Sequence, residues 1–103
     1  MVQTVPRKRI EILVDTPLVP RIVGKLKAVD ISGWSVIHVD SGGGRAGEWR
    51  HDDVTGASAK TIVLAIASDT KTAQLIDAIA PLLDSYGMLL TVGDVQVVRG
   101  ERF

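Results

Sequence analysis

The 103-residue sequence predicts one α+β domain in which two helices pack on one face of a four-stranded antiparallel sheet. Three observations support this: four apolar segments of strand length, two segments of helical periodicity between them, and one long polar interruption near the middle. A chain of this length has room for one modest core. We therefore expect residues 1–103 to form a single domain.

The first half of the chain predicts a strand, a helix and a second strand. Residues 9–14 alternate and then become continuously apolar, as a strand does when one end is more deeply buried. Asp15 and Pro17 form a helix-start signal, a capping side chain ahead of a proline, and apolar residues then recur at helical spacing as far as Val29. Residues 34–39 are rich in aromatic and β-branched side chains, which favour a strand.

The second half predicts a strand, a helix and a last strand. Residues 61–67 are aliphatic after the first position, and residues 68–70 offer caps for a helix that ends near residue 85. We expect the buried face of that helix to consist of Ala73, Ile76, Ile79, Ala80 and Leu83. Residues 88–98 predict a strand that is irregular or bulged at Gly93. The order is βαββαβ, the split ferredoxin-like unit.

The third strand is apolar on both of its faces. Ile62, Leu64 and Ile66 alternate with Val63, Ala65 and Ala67. A sheet with both helices on one side normally shows polar residues on the other. At roughly 25 cal/mol per Å² of apolar surface, exposing that side to water would lose several kcal/mol of stabilisation by burial. We expect a homo-oligomer packed through its sheets; the alternative is a central strand whose outer face merely tolerates small apolar residues.

Composition excludes several classes of function. Twelve basic and twelve acidic residues cancel, so nucleic acid or an anionic membrane is not expected as the principal partner. The absence of cysteine removes disulfides, thiolate catalysis and cysteine metal sites. No long apolar stretch follows the basic start, so neither a signal peptide nor membrane insertion is expected, and we expect a cytoplasmic protein.

The polar interruption, residues 41–59, is the main candidate for function. Connections inside compact domains have a median of about 4 to 6 residues, and a structureless loop of this length is usually functional or disordered. Gly42, Gly44 and Gly47 fit the spacing of a dinucleotide-binding fingerprint. That motif requires a helix to begin at once, whereas the following residues are polar and show no apolar period, so we reject it.

The chemistry of the loop suits an anion. Consecutive glycines permit close approach to backbone N–H groups, and Arg45 adds a planar guanidinium for phosphate. From the loop alone, a flexible linker is an equal alternative. Lys60 at the loop exit, with Arg99 and Arg102 at the chain end, favours the anion site, although each such charge alone is more often only solvated.

Two other features of the loop call for an interpretation. Trp49 is costly to leave wet, so we expect it to contact a partner, a neighbouring subunit or its own loop, with a partner slightly favoured. His51 with the two following acids could bind a divalent cation, but no second histidine lies at ligand spacing. We expect no metal.

The βαββαβ order, the long loop after the second strand and the apolar sheet resemble the PII signal-transduction family over nearly the whole chain. Residues 39–44, Val-Asp-Ser-Gly-Gly-Gly, and residues 99–103, Arg-Gly-Glu-Arg-Phe, are similar to its PII-like branch, the carboxysome-associated PII proteins and the SbtB group. The resemblance implies a non-catalytic homotrimer with adenine nucleotides in the clefts between subunits. It also implies a T-loop, here about 41–59, that reports occupancy to a protein partner.

The resemblance assigns roles by position. It implies an adenine and ribose side formed by Leu13, Ser35, Ile62 and Leu64. It implies a phosphate-facing loop base formed by Ser41, Gly42, Gly43, Gly44 and Arg45. It matches the B-loop of an adjacent subunit to Ser85, Tyr86, Gly87 and Met88. The remaining cationic contacts would be Lys60, Arg99 and Arg102. The partner-reading part of the loop would contain Trp49 and Arg50.

Departures from the family pattern refine these expectations. The B-loop lysine is replaced by Met88, and the arginine pair of the last strand by Gln96 and Val98, so ADP or AMP should bind at least as tightly as ATP. No tyrosine is present in the loop, so uridylylation is not expected. The branch suggests bicarbonate as a second ligand, and a bicarbonate transporter or carboxysome-associated protein as target.

Other function classes have weaker support. A ferredoxin-like acylphosphatase would require a catalytic asparagine beside an arginine, and this chain contains no asparagine. RNA binding of the RRM kind requires aromatic residues on the middle strands, where only Trp34 comes near. A structural trimer without a nucleotide ligand stays open as the alternative, together with a small ferredoxin-like enzyme.

Overall fold

A computed structural model describes residues 3–44, 47–50 and 59–98. Its elements are, in order, β1 (Thr4–Asp15), a 3-10 turn (Thr16–Leu18), α1 (Val19–Ala28), β2 (Trp34–Val39), β3 (Ser41–Gly44), β4 (Gly47–Arg50), β5 (Lys60–Ala67), α2 (Asp69–Ser85) and β6 (Leu89–Val98). The βαββαβ order is confirmed, with the short strands β3 and β4 inserted in the long connection.

The main sheet has the strand order β2-β5-β1-β6, and every neighbouring pair is antiparallel. The two strands joined by α1 are therefore separated by β5, and the two joined by α2 are separated by β1. This arrangement is the ferredoxin-like sheet that the sequence predicts. At 12 residues, β1 is longer than expected because its first half pairs with β6 as far as Val98.

The core lies between the sheet and the two helices. Alternate residues of β1, Ile10, Ile12 and Val14, are fully buried there, as the period of two along a strand requires. Cross-strand pairing places Ala65 and Val63 beside the first two of these. The helices contribute the fully buried Ile22, Leu26, Leu75 and Ile79.

Neither of the two helices of the described residues lies on the other side of the sheet, which we call the open face. Its apolar residues include Leu13, Ile37, Ile62, Leu64, Ile66 and Leu89. Those on β1 and β5 are half-buried within one chain, whereas Ile37 is 44% and Leu89 57% exposed. Both faces of β5, the third predicted strand, are therefore apolar as expected, and the described residues cover only the face that packs against the helices.

The start of the first helix differs from the prediction. Asp15 makes no side-chain capping hydrogen bond; Thr16–Leu18 form a 3-10 turn, and the α-helix begins only at Val19. The reason is that Asp15 is the last residue of β1 and pairs across the sheet with Lys60. A local capping signal was overridden by a cross-strand contact.

The buried face of α2 also differs from the prediction. Its buried residues are Thr72, Leu75, Ile79 and Leu82. Of the predicted stripe, Ile79 is buried and Leu83 partly so, but Ala73 and Ala80 are exposed and Ile76 is 36% exposed. Both stripes have helical spacing, but the buried one lies one residue earlier along the helix, so Leu75 and Leu82 face the core where Ile76 and Leu83 were expected. The capping prediction holds at Ser68, whose hydroxyl accepts from the Lys71 N–H at 3.2 Å.

Two further expectations are corrected. The pairing of β1 with β6 passes through Gly93 without interruption, because Gly93 lies opposite Arg9 between two regular pairs, so there is no bulge. The long connection is not structureless: residues 41–44 and 47–50 form a two-stranded antiparallel ribbon. Residues 51–58 lie outside the described part of the chain.

Candidate functional site

The residues expected to line a nucleotide cleft are brought together on the open face. Leu13 lies directly opposite Ile62, and Ser35 lies directly opposite Leu64, in the pairings of β5 with β1 and β2. Because every second residue of a strand faces the same side, these four form one contiguous patch. It is mainly apolar with one hydroxyl at its edge, which suits a flat base and a sugar.

An ion pair lies at the loop end of this patch. Lys60, the first residue of β5, is flanked in the register by Asp15 on β1 and Val39 on β2. Its ammonium donates to the Asp15 carboxylate at 2.5 Å. Lys60 was expected at this site from the sequence, whereas Asp15 was expected to cap the first helix. The alternation along β1 could have shown that Asp15 shares a face with Leu13.

The exit of the loop is fixed to the junction between β1 and α1. The Thr16 N–H donates to the Ala59 carbonyl at 3.1 Å, and the hydroxyls of Thr16 and Thr61 are 2.8 Å apart. Thr61 is fully buried, so its hydroxyl depends on this partner for a hydrogen bond. These contacts hold the start of β5, including Lys60, in a defined position beside the end of β1.

The ribbon places Trp49 on the glycine segment. Gly42 pairs with Trp49 across the ribbon, and the indole lies so close that a Cβ at Gly42 would overlap its six-membered ring. Gly43 and Gly44 have no such close neighbour. Of the environments expected for Trp49, contact with its own loop is the one found within a single chain. In this arrangement the indole covers one side of Gly42.

The segment matched to a B-loop, 85–88, follows the end of α2. The Tyr86 N–H donates to the Leu82 carbonyl at 2.9 Å, and the Met88 N–H to the Tyr86 carbonyl at 2.8 Å. Arg21 on α1 donates to the Tyr86 hydroxyl at 2.9 Å, with its guanidinium carbon 5.5 Å from the ring centroid. Met88 packs partly against the core, whereas Ser85 and Gly87 are exposed. Arg21 is a contact that sequence reasoning missed.

Several candidate residues fall outside the described residues. These are Arg45, Arg99 and Arg102, together with the side chain of Arg50. His51, Asp52 and Asp53, the residues considered for a divalent cation, also fall outside the described residues. Within ranges 3–44, 47–50 and 59–98, no group of three or more histidine, aspartate or glutamate residues is placed to hold a metal ion. In the same ranges, no helix is both long and apolar enough to cross a bilayer.

A second charged cluster lies at the opposite end of the sheet. Lys8 contacts the Asp94 carboxylate, and its ammonium is 3.5 Å from Asp69. The hydrogen bond to Asp94 is the main cause of a raised pKa for Lys8, although desolvation opposes it. On β5, the residue opposite Lys8 is Ala67, at the far end of the strand from Lys60. This cluster is therefore separate from the candidate site.

Solved structures of similar fold include PII-like proteins. CPII from Thiomonas intermedia K12, in a structure bound to ADP, AMP and bicarbonate, superposes with a TM-score of 0.85 at 19% identity, covering 94% of this chain and 92% of that one. A putative PII-like signalling protein from Thermus thermophilus gives 0.83 at 22% identity, covering 98% of both chains. At these identities the likeness concerns the fold.

Comparison of the sequence with protein-family models identifies the family. No curated protein matches the chain at a significant level. The family model described as nitrogen regulatory protein P-II matches residues 7–102, which is nearly the whole chain and spans every element of the fold. The resemblance identified from the βαββαβ order is thereby confirmed: the chain belongs to the nitrogen regulatory protein P-II family.

Proposed function

We propose that this protein is a non-catalytic signalling protein that binds adenine nucleotides at clefts between the subunits of a homotrimer. The observation that carries the proposal is the patch of Leu13, Ser35, Ile62 and Leu64, which lies beside Lys60 at the base of the loop. An apolar surface suited to a base and sugar is thus adjacent to a cation and a glycine segment suited to phosphate.

The open face supports the trimeric part of the proposal. Ile37 and Leu89 are largely exposed in a single chain, and four half-buried aliphatic side chains lie between them. Covering this face with neighbouring copies, apart from the patch that lines the nucleotide cleft, would remove apolar surface from water. The expected result is a trimer when the mass of the protein in solution is measured by light scattering. A monomer at micromolar concentration would contradict this part.

The ligands to test first are ADP and AMP. The CPII structure of similar fold was bound to both, and this chain has Met88, Gln96 and Val98 where the family pattern has cations. We therefore expect ADP and AMP to bind at least as tightly as ATP. Calorimetry that shows ATP preferred by more than about tenfold, or about 1.4 kcal/mol, would refute this order.

Thermal unfolding with each nucleotide tests the function itself. A ligand that binds only the native state, at about 100 times its dissociation constant, should add about 2.7 kcal/mol of stability. Ser35→Glu, which places a carboxylate at the edge of the patch, should abolish that stabilisation. The matched control is Ser32→Glu, since Ser32 is also exposed but precedes β2 at the other end of the sheet. No stabilisation by any adenine nucleotide would favour a structural trimer without ligand.

A role in inorganic-carbon metabolism is the narrower part of the proposal. The related CPII fold has been seen with bicarbonate, and the glycines of the ribbon with Arg45 suit a small anion. Bicarbonate should then change nucleotide affinity, and nucleotide should change bicarbonate affinity by the same factor. Calorimetry that shows no such coupling would remove bicarbonate from the proposal.

The protein target is proposed to read the loop. We expect this protein to be cytoplasmic and its target to be a protein such as a bicarbonate transporter or a carboxysome-associated protein, contacted by the segment that includes Trp49 and Arg50. Trp49 is the apolar anchor that such a contact requires, since large aromatic residues contribute disproportionately to interfaces. The nucleotide would bind at the base of the loop and the target at its tip. Each would then affect binding of the other through the conformation of the ribbon.

A further inference from the structure

We infer that Asp15 determines the nucleotide selectivity of this site by pairing with Lys60, so that nucleotides with fewer phosphates are favoured over ATP. The inference rests on the proposed nucleotide function and adds a residue to it. The sequence suggested a different role for Asp15, which was expected to cap the start of the first helix. The structure shows that its carboxylate goes elsewhere.

The position of the pair relative to the apolar patch is set by the register. Asp15 lies opposite Lys60, and Leu13 lies opposite Ile62, two residues further along the same strands. Two residues of an antiparallel strand span about 7 Å, and they face the same side. A nucleotide whose base and sugar occupy the patch would therefore have its phosphates within reach of this ion pair.

The pair is held in place by the backbone and is still accessible to a ligand. On one side, the Thr16 N–H is bonded to the Ala59 carbonyl; beside it, the Thr16 hydroxyl meets the buried hydroxyl of Thr61. The side chains themselves remain partly open, with 42% of Asp15 and 21% of Lys60 exposed. A bound phosphate can thus reach Lys60, but it cannot do so without lying close to the Asp15 carboxylate.

The charge balance gives the direction of the selectivity. Asp15 neutralises the one described cation at the loop end of the patch, and it repels every added negative charge on the ligand. The other carboxylate of this face, Glu11, is four residues away and is paired with Arg9 at 2.8 Å. Each further phosphate of a nucleotide is repelled by the Asp15 carboxylate, so the binding affinity of ATP is reduced more than that of AMP.

The test compares Asp15→Asn with a matched control, Asp94→Asn. Asp94 also accepts from a lysine, Lys8, but that pair lies near Ala67, about 23 Å along β5 from Lys60. Dissociation constants for AMP, ADP and ATP are measured by calorimetry at low and high salt. Asp15→Asn should raise the affinity of ATP relative to AMP by about tenfold at low salt, and by less at high salt. Asp94→Asn should leave the ratio unchanged.

The outcomes separate this inference from the proposed function. If the unmodified protein binds nucleotides and the ratio changes by less than about twofold in Asp15→Asn, the inference is wrong and the proposed function stands. An equal change in both variants also contradicts it, because that would reflect net charge alone. If the unmodified protein binds none of the three nucleotides, both fail. A simple loss of protein stability would weaken the binding of all three nucleotides together and would leave the ratio of their affinities unchanged.

Discussion

The contact between Trp49 and Gly42 allows a sharp test of the ribbon. Gly42→Ala adds a single methyl group where the indole now lies, and it introduces no backbone strain, since the one described glycine with a positive φ is Gly47. Gly44→Ala is the matched control: the same substitution two residues away, with nothing within 4 Å of its Cβ. Any difference between the two variants therefore reports the indole contact.

The size of the effect follows from the distances. The new Cβ would lie closest to Cζ2 of Trp49 and 2.6 Å from Cη2, and a tolerable contact begins at 3.4 Å, so the ring must retreat by more than about 0.8 Å. A gap of about 0.5–1 Å forfeits about a quarter to a half of a dispersion contact. We expect the indole to leave its position on the glycine segment and become more exposed, while the main sheet is unaffected.

Tryptophan fluorescence measures this directly. The chain contains two tryptophans, so the experiment uses a Trp34→Phe background in which Trp49 is the only tryptophan. Gly42→Ala should shift the emission of Trp49 to longer wavelength and increase its quenching by acrylamide. Gly44→Ala should resemble the parent. Identical spectra for the two alanine variants would show that the indole does not rest on Gly42, and the ribbon described above would then be wrong.

Two further predictions concern stability. Ile12→Ala removes a fully buried side chain from the central strand β1, and chemical denaturation should show a loss of about 2–5 kcal/mol in the free energy of unfolding. Ile76→Ala, on the exposed side of α2, should lose less than half as much. Equal losses would contradict the described core. The Asp94 hydrogen bond raises the pKa of Lys8 above 10.5, so its stabilisation is fully present below that pH and is lost only as pH rises through the folded pKa. The stability difference between the unmodified protein and Asp94→Asn should therefore stay constant from about pH 7 to about pH 9, and a decline within that range would contradict the assignment.

The fold was predictable because its signals are local. Helical and strand periodicity, with breakers such as Gly33, define each segment from its own residues, and the order of segments leaves few topologies. The patch of the candidate site was also predictable from the resemblance, since Leu13 and Ile62 are placed by register once the sheet order is known. Both depend on patterns that extend over many residues.

The errors have a common physical cause. The capping signal at Asp15, the stripe on α2 and the bulge at Gly93 were each inferred from one segment, but each was decided by what the segment contacts. Lys60 pairs with Asp15 across the sheet, and packing against the core selects Leu75 and Leu82 of α2 rather than Ile76. The polar sequence of the loop gave no sign of the ribbon, in which Trp49 pairs with Gly42 and its indole lies against that glycine.

By itself, the sequence determined the α+β class, the βαββαβ order and the two apolar faces of the third strand, because hydrophobic periodicity depends only on residues that are close together in the sequence. Tertiary structure alone decided which charged and aromatic side chains meet. Asp15 and Lys60 are 45 residues apart in the chain and are brought together only by the pairing of β1 with β5. A cross-strand contact of this kind depends on register, which a single segment does not encode.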